Sequence, residues 1–330
     1  MTFAKKALIL GTTACFGGGL AITAAALAAA TINGAGATFP APFYQASFIG
    51  LAKQGVKVNY QSVGSGAGVR QFIAGTVDFG ATDEPIKASD AAKVKRGVIQ
   101  FPASGGTIAV AYNNANCPAL KLTQKQVASI FLGQIDTWEE LKCGSGPIKV
   151  VHRSDGSGTT FAFTNSLSAF SPEWKSKVGE GKSVKWPVGV GGKGNEGVSG
   201  TINNTPGSIG YLSLAFVKGK IKAASVQNKA GRFVKPNAKS GAAALNNIRL
   251  DGMLAGEDAN PAGEASYPIS TLTWILAYKT GNGEKAEVIQ KAMEHLLTNS
   301  NQFRAEVLGF IPLKGSILSQ SRNAVNSIGK

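Results

Sequence analysis

Three times this chain follows a strand-like apolar stretch with a glycine-bearing turn and then the hydroxyl-rich opening of a helix: "INGAGATFPAPFY", "VNYQSVGSGAGVRQF" and "IKVVHRSDGSGTTFAF". No other feature restricts the fold as much. Strand, turn and helix repeated in that order build a mostly parallel sheet with helices on its faces, so the fold class is α/β. Residues alternate from Val56 to Val63 as in a strand, and Val69, Phe72 and Ile73 recur at helical spacing. Thr38 reads as the N-cap of the first helix, whose first turn holds Pro40 and Pro42, while Ser65 and Ser157 stand at the entrances of the second and third.

The rest of the pattern extends this grammar. "VDFGATDEP" reads as a buried strand running from Val77 to Asp83, ended by Pro85, and open α/β sheets put their ligands at such carboxyl ends. "GGTIAVAYNN" and "STLTWILAYKTG", from Ser270 to Gly281, are two long apolar strands far apart in sequence, read as a pair of crossovers between two lobes. Between them come a helix from Gln124 to Leu132 capped by Thr123, the strand before Arg153, and the glycine-rich "GVGGKGNEGVSG"; "EKAEVIQKAMEHLLTN" then gives an amphipathic closing helix. A chain of 330 residues exceeds what one core usually serves. The expected division is lobe I over residues 31–109, lobe II over 110–273, and a return to lobe I over 274–330.

Lys5 and Lys6 precede an uncharged stretch from Ala7 to Ala30 that closes on "ALAAA", the small-residue ending that a signal peptidase accepts. Residues 1–30 therefore read as an export leader cut near Ala28 or Ala30, and four glycines make the stretch a poor membrane anchor. Thr12, Thr13 and Ala14 before Cys15 lack the leucine of a lipidation signal. Cleavage leaves two cysteines, Cys117 and Cys143, in a chain addressed to an oxidising compartment, and they are expected to be bridged. Closing that loop would contribute about 3 kcal/mol in the chain-entropy picture.

The formal charge of +15 falls to +13 once the two leader lysines are removed. Such a field favours encounters with anions. The lysines are dispersed without aromatic interleaving, which argues against nucleic acid.

The three helix mouths carry the chemistry. Each offers free backbone N–H groups and a hydroxyl at the positive end of a helix, a natural seat for an anion. Arg153 adds a planar fork able to give two parallel bonds to a tetrahedral oxyanion, and Asp155 stands where it could orient that fork. Taken singly, a capping serine is usually only structural and an Arg-Asp dipeptide is often a surface pair. The case rests on three mouths and an arginine together.

Rival chemistries fit poorly. A nucleophile elbow around Ser157 would need glycines at 155 and 159, where Asp155 and Thr159 stand. Its base is missing too, since His152 should alternate to the strand face opposite Arg153 and His295 lies in the closing helix. No clustered metal ligands suggest a phosphatase, and no cofactor is expected. Gly189, Gly191 and Gly194 match a dinucleotide fingerprint, a weak motif in an exported chain, and "EGKS" lacks the first glycine of a phosphate loop.

"GAGATFPAPFY", "GSGAGVRQFIAGTVDFGATDEP", "HRSDGSGTTFAFT", "VKWPVGVGGKGNEGV" and "PGSIGYL", in that order, closely resemble the periplasmic phosphate-binding proteins of Pst-type ATP-binding-cassette importers. The resemblance implies a monomeric periplasmic binding protein of two α/β lobes joined by two crossing strands, which closes on one phosphate held without water and passes it to a membrane permease. Matched by motif, Thr38 and the Phe39 backbone would bind phosphate from the first mouth, Ser65 from the second, and Ser157, Gly158 and Thr159 from the third. Asp83 corresponds to the family's acidic acceptor, Arg153 to its cationic ligand and Asp155 to the acid that holds the arginine. One departure is Gly66-Ala67-Gly68, where the family often has a second serine and paired glycines. The alternatives are a binding protein for arsenate, a phosphonate or sulfate, or a secreted phosphatase.

Overall fold

The computed structural model describes residues 30–330 except Asn247. The leader and Cys15 thus lie outside the described residues, apart from Ala30, which opens the first strand.

Among the described residues nine strands form one mixed sheet. At one end Val56–Ser62, Ala30–Gly36 and Phe79–Thr82 lie parallel, with Ala30 opposite Val56 and Gly34 opposite Phe79. At the other end Ser208–Ser213, Lys149–Arg153 and Val190–Gly192 are parallel, with Val150 opposite Ile209 and Val151 opposite Val190. Two long antiparallel strands, Val98–Asn113 and Ser270–Tyr278, join these halves. The fold is a two-lobed α/β architecture whose halves are joined by two crossing strands. Both crossing strands are buried almost throughout, which is why they read as continuous apolar runs and not as alternating ones.

Local sequence explains how each half closes on itself. Helices Ala41–Ala52 and Ser65–Ala74 cover the first half, and the latter packs so tightly that a Cβ on Gly68 would lie 2.3 Å from the Cα of Gly36. Only glycine fits there. Helix Ala286–Leu296 turns Ile289, Ala292, Met293 and Leu296 inward, the helical period read from the sequence. In the second half, Thr123 caps helix Gln124–Phe131 in a reciprocal capping box with Gln126. Cys117 and Cys143 are joined, with 4.9 Å between their Cα atoms.

The crossing strands also carry an irregularity that matters for the site. The register shifts between Thr273 and Trp274, where Pro102 is the partner of Trp274. Proline cannot donate to a ladder, and bulges are where sheets absorb it. Thr273 emerges beside this break, fully buried, at the seam between the halves.

Candidate anion-binding site

The carboxyl ends of both parallel halves converge on one buried polar cluster. Thr38 follows strand Ala30–Gly36, Asp83 follows Phe79–Thr82, Arg153 ends Lys149–Arg153 and Asn195 follows Val190–Gly192. Thr38, Phe39, Ser65, Asp83, Arg153, Ser157 and Thr159 are all at most 4% exposed.

The third mouth is built by its own sequence. Ser157 caps helix Gly158–Phe170, its Oγ accepting the Thr160 N–H at 3.0 Å, which leaves its hydroxyl hydrogen free to donate. Gly158 faces the other half so closely that a Cβ would lie 2.6 Å from the Asp83 nitrogen and 2.7 Å from Ser65 Oγ. The two halves therefore meet backbone to backbone, as they do where the Gly66 N–H donates to Gly156 O at 2.8 Å.

The first mouth differs from the sequence reading. Helix Ala41–Ala52 starts at Ala41 with Pro40 in the cap position and no side-chain cap, so Thr38 is not its N-cap. The two intervening residues and the fixed φ of Pro40 put the threonine beyond capping reach. Its hydroxyl instead accepts from the backbone N–H of Asn195 at 3.0 Å and from its Nδ2 at 2.7 Å, across the cleft. At the second mouth Ser65 is the first helical residue and its Oγ takes the Asp83 N–H at 3.3 Å. The N–H groups of Phe39, Ser65, Gly158 and Thr159 have no backbone or side-chain acceptor among the described residues. They are the orphan donors that helix starts leave.

Arg153 and Asp155 form a bidentate pair. Nε donates to Oδ1 at 2.8 Å and Nη2 to Oδ2 at 2.6 Å, and Oδ1 also takes the Gly194 N–H at 3.0 Å. Burial opposes ionisation of Asp155, but the bonds and charge of Arg153, with the Gly194 N–H, outweigh it and hold the carboxyl below its ordinary value. The arginine is aligned from behind as well: its N–H donates to Tyr211 Oη at 3.2 Å, and the Tyr211 ring stacks on Phe163 at 4.2 Å. Phe163, from the aromatic run after Ser157, thus helps to hold the tyrosine in place. Because the Nε edge of the fork is spent on Asp155, the edge left for a ligand is the terminal one, where the buried Nη1 has no partner.

Asp83 is the opposite kind of carboxylate. Its Oδ1 accepts from Thr273 Oγ1 at 2.8 Å and its Oδ2 from Thr159 Oγ1 at 3.2 Å, with no direct cationic bond. Burial pushes its carboxyl up to about 6, against the smaller effects of Thr273, Arg153, Thr159 and Lys182.

Three contributors have no local signature in the sequence. Asn195 is fully buried, donates to Thr38 and, at 3.3 Å, to Thr159, and accepts the Ser213 N–H at 2.8 Å. Thr273 holds Asp83, and Lys182 sets its charge nearby while its carbonyl takes the Ser157 N–H at 2.8 Å. The one available signal was polarity inside segments otherwise read as buried or glycine-rich. His152 stacks on Trp186, with ring centres 4.9 Å apart, and His295 bonds to Ser47 O at 3.0 Å; neither reaches the site hydroxyls. Among the described residues no group of three or more His, Cys, Asp or Glu side chains is placed to hold a metal ion. What the cluster can do chemically is surround one small anion with directed donors, one cation edge and one acceptor.

Two lobes closing over a buried polar site define a binding protein, and the family model for the PBP superfamily domain matches residues 21–297. The chain is 42% identical over 313 residues to the phosphate-binding protein PstS of Pasteurella multocida (strain Pm70), covering 88% of this chain and 89% of that one. To the PstS of Haemophilus influenzae it is 41% identical over 306 residues, covering 88% and 90%. It belongs to the PstS family of phosphate-binding proteins. In fold it resembles the solved structure of a high affinity periplasmic phosphate-binding protein bound with phosphate, with a TM-score of 0.75 at 22% identity over 91% of this chain and 99% of the other.

Proposed function

We propose that this protein captures inorganic phosphate in the periplasm and delivers it to the permease of an ATP-binding-cassette importer. One observation carries the reading: a buried arginine whose Nη1 lacks a partner shares a site with a buried carboxylate that bonds only to hydroxyls. A buried cation edge calls for an anion. A buried carboxylate beside that anion is tolerable only if the anion brings a proton to share.

Inorganic phosphate keeps at least one proton near neutral pH, and sulfate does not. In this reading the Arg153 terminal edge and the N–H groups of Phe39, Ser65, Gly158 and Thr159, with the hydroxyls of Thr38, Ser65 and Ser157, donate to phosphate, while the Thr159 hydroxyl holds Asp83 and Asp83 accepts the remaining hydrogen of the anion. A site built around a ligand's hydrogen-bonding group rejects an analogue that lacks it by about 10⁴- to 10⁵-fold. The names of the curated relatives and the phosphate-bound neighbours support the ligand.

Because donors come from both lobes, binding is a population shift from an open form toward the closed one. The hinge lies in the two crossing strands, which contain the proposed lobe divisions at residues 109/110 and 273/274. The closed monomer is the form the permease reads. Titrating the exported chain with phosphate, sulfate and arsenate tests the reading. Tight binding of phosphate with negligible sulfate binding is expected, and failure of phosphate to bind overturns it. A phosphomonoester turnover assay, expected to be blank, separates capture from catalysis.

A further inference from the structure

Beside the anion site, Lys182 Nζ lies 2.6 Å from Glu84 Oε2, with side chains 18% and 4% exposed. The partners belong to opposite halves. Glu84 follows strand Phe79–Thr82 in the first, and Lys182 lies in the connection between helix Pro172–Lys177 and strand Val190–Gly192 in the second.

Each partner is mounted on the site itself. Glu84 is adjacent to Asp83, and its carbonyl takes the Thr82 hydroxyl at 2.7 Å. The carbonyl of Lys182 accepts the Ser157 N–H at 2.8 Å, and the neighbouring Gly181 N–H donates to Thr164 Oγ1 at 3.2 Å, so the lysine's segment is tied to the helix that opens at Ser157. A second lysine, Lys87, reaches the other oxygen of Glu84 at 3.5 Å but comes from Glu84's own half and stays 63% exposed.

We propose that Glu84 and Lys182 form a latch across the cleft that selects the closed form and slows release of the anion. This rests on the reading of the cleft as a phosphate site. Lys87 can reach Glu84 whether the cleft is open or closed, because both lie in one half, but at 3.5 Å and largely exposed it pairs only weakly and leaves most of the buried charge to Lys182. Lys182 meets Glu84 only when the halves come together. Closure takes the Glu84 carboxylate almost wholly out of water, and such a charge is costly unless paired and hydrogen-bonded. The cross-cleft lysine therefore makes closure depend on the two segments meeting in register. Because Lys182 also holds the Ser157 N–H, the latch and the third helix mouth move as one piece.

The test is stopped-flow release of phosphate from the exported chain, with small-angle scattering of the ligand-free protein alongside. Lys182→Met strands the Glu84 carboxylate and should speed release about tenfold, between what exposed and buried pairs give. Glu84→Gln should do so by about threefold, since the freed lysine can return to water. Lys182→Arg, which keeps the charge, should release more slowly than Lys182→Met. The double variant Glu84→Gln/Lys182→Met should release more slowly than Lys182→Met alone, because the stranded charge is gone, a rescue that a merely structural role would not give. Release rates unchanged in both single variants, or a double variant that simply multiplies them, overturn the latch while leaving phosphate binding intact. Should the wild type bind no phosphate, the phosphate reading falls, and scattering decides the latch alone. There the latch requires that the ligand-free wild type populate the closed form and that Lys182→Met have the larger radius, and equal radii overturn it.

Discussion

Asp83 and Asp155 face one cleft from opposite halves and hold opposite relations to the proton. Burial governs both at the outset. Asp155 escapes its effect through two bonds to Arg153 and one from Gly194, which keep it ionised as a permanent brace. Asp83 has only the hydroxyls of Thr273 and Thr159, and its carboxyl rises to about 6. One side chain type thus serves as counter-ion on one wall and as acceptor on the other. Which role it takes depends on whether its partners carry charge.

The largest way to break this contrast is Arg153→Ala. It removes the cation edge and leaves Asp155 without its partner, and phosphate affinity should fall by about 10³-fold in calorimetry, two charge-assisted bonds at about 2 kcal/mol each. Gly158→Ala comes next. A Cβ there meets the Asp83 backbone and Ser65, so closure is obstructed and affinity should drop by about 5- to 150-fold, the range of an overpacked contact, with the overall fold intact by circular dichroism. Ser65→Ala removes one neutral hydroxyl and should cost about 3- to 10-fold.

Acid titration of the ligand-free protein sharpens the same contrast. The Asp83 carboxyl holds its proton more tightly in the fold than at its ordinary value of 3.8. This group therefore adds stability as pH falls from about 7 toward about 4, and takes it away as pH rises through its folded value. Asp155 has the reverse sign. The difference in melting temperature between wild type and Asp83→Asn should shift in favour of wild type as the solution is acidified across that window. A difference that does not move with pH would mean Asp83 is not desolvated.

How much of this was legible from residues alone follows the range of each interaction. Caps set within four residues were readable: the Thr123 box and the Ser157 cap are present where the sequence placed them. Arg153 and Asp155 could be paired because they are two residues apart. Thr38 was misread as a cap because a hydroxyl near a helix start is the ordinary sign of one, whereas its partner Asn195 lies 157 residues away. Thr273 is 190 residues from Asp83, and no local pattern announces it. "GVGGKGNEG" invited a dinucleotide reading by its glycines, yet Gly192 is there to let helix Gly194–Asn204 approach, with Val198 N 2.7 Å from where a Cβ would be. Short-range physics gave the elements and the mouths; cross-cleft pairing needed the fold.

The central claim is that Asp83 reads the proton on the ligand. Calorimetric titration of phosphate and sulfate into wild type and Asp83→Asn tests it most directly. The account predicts that wild type prefers phosphate by about 10⁴-fold or more, and that the variant, whose amide can donate to either anion, loses most of that preference. An Asp83→Asn protein that still discriminates as wild type does would contradict it.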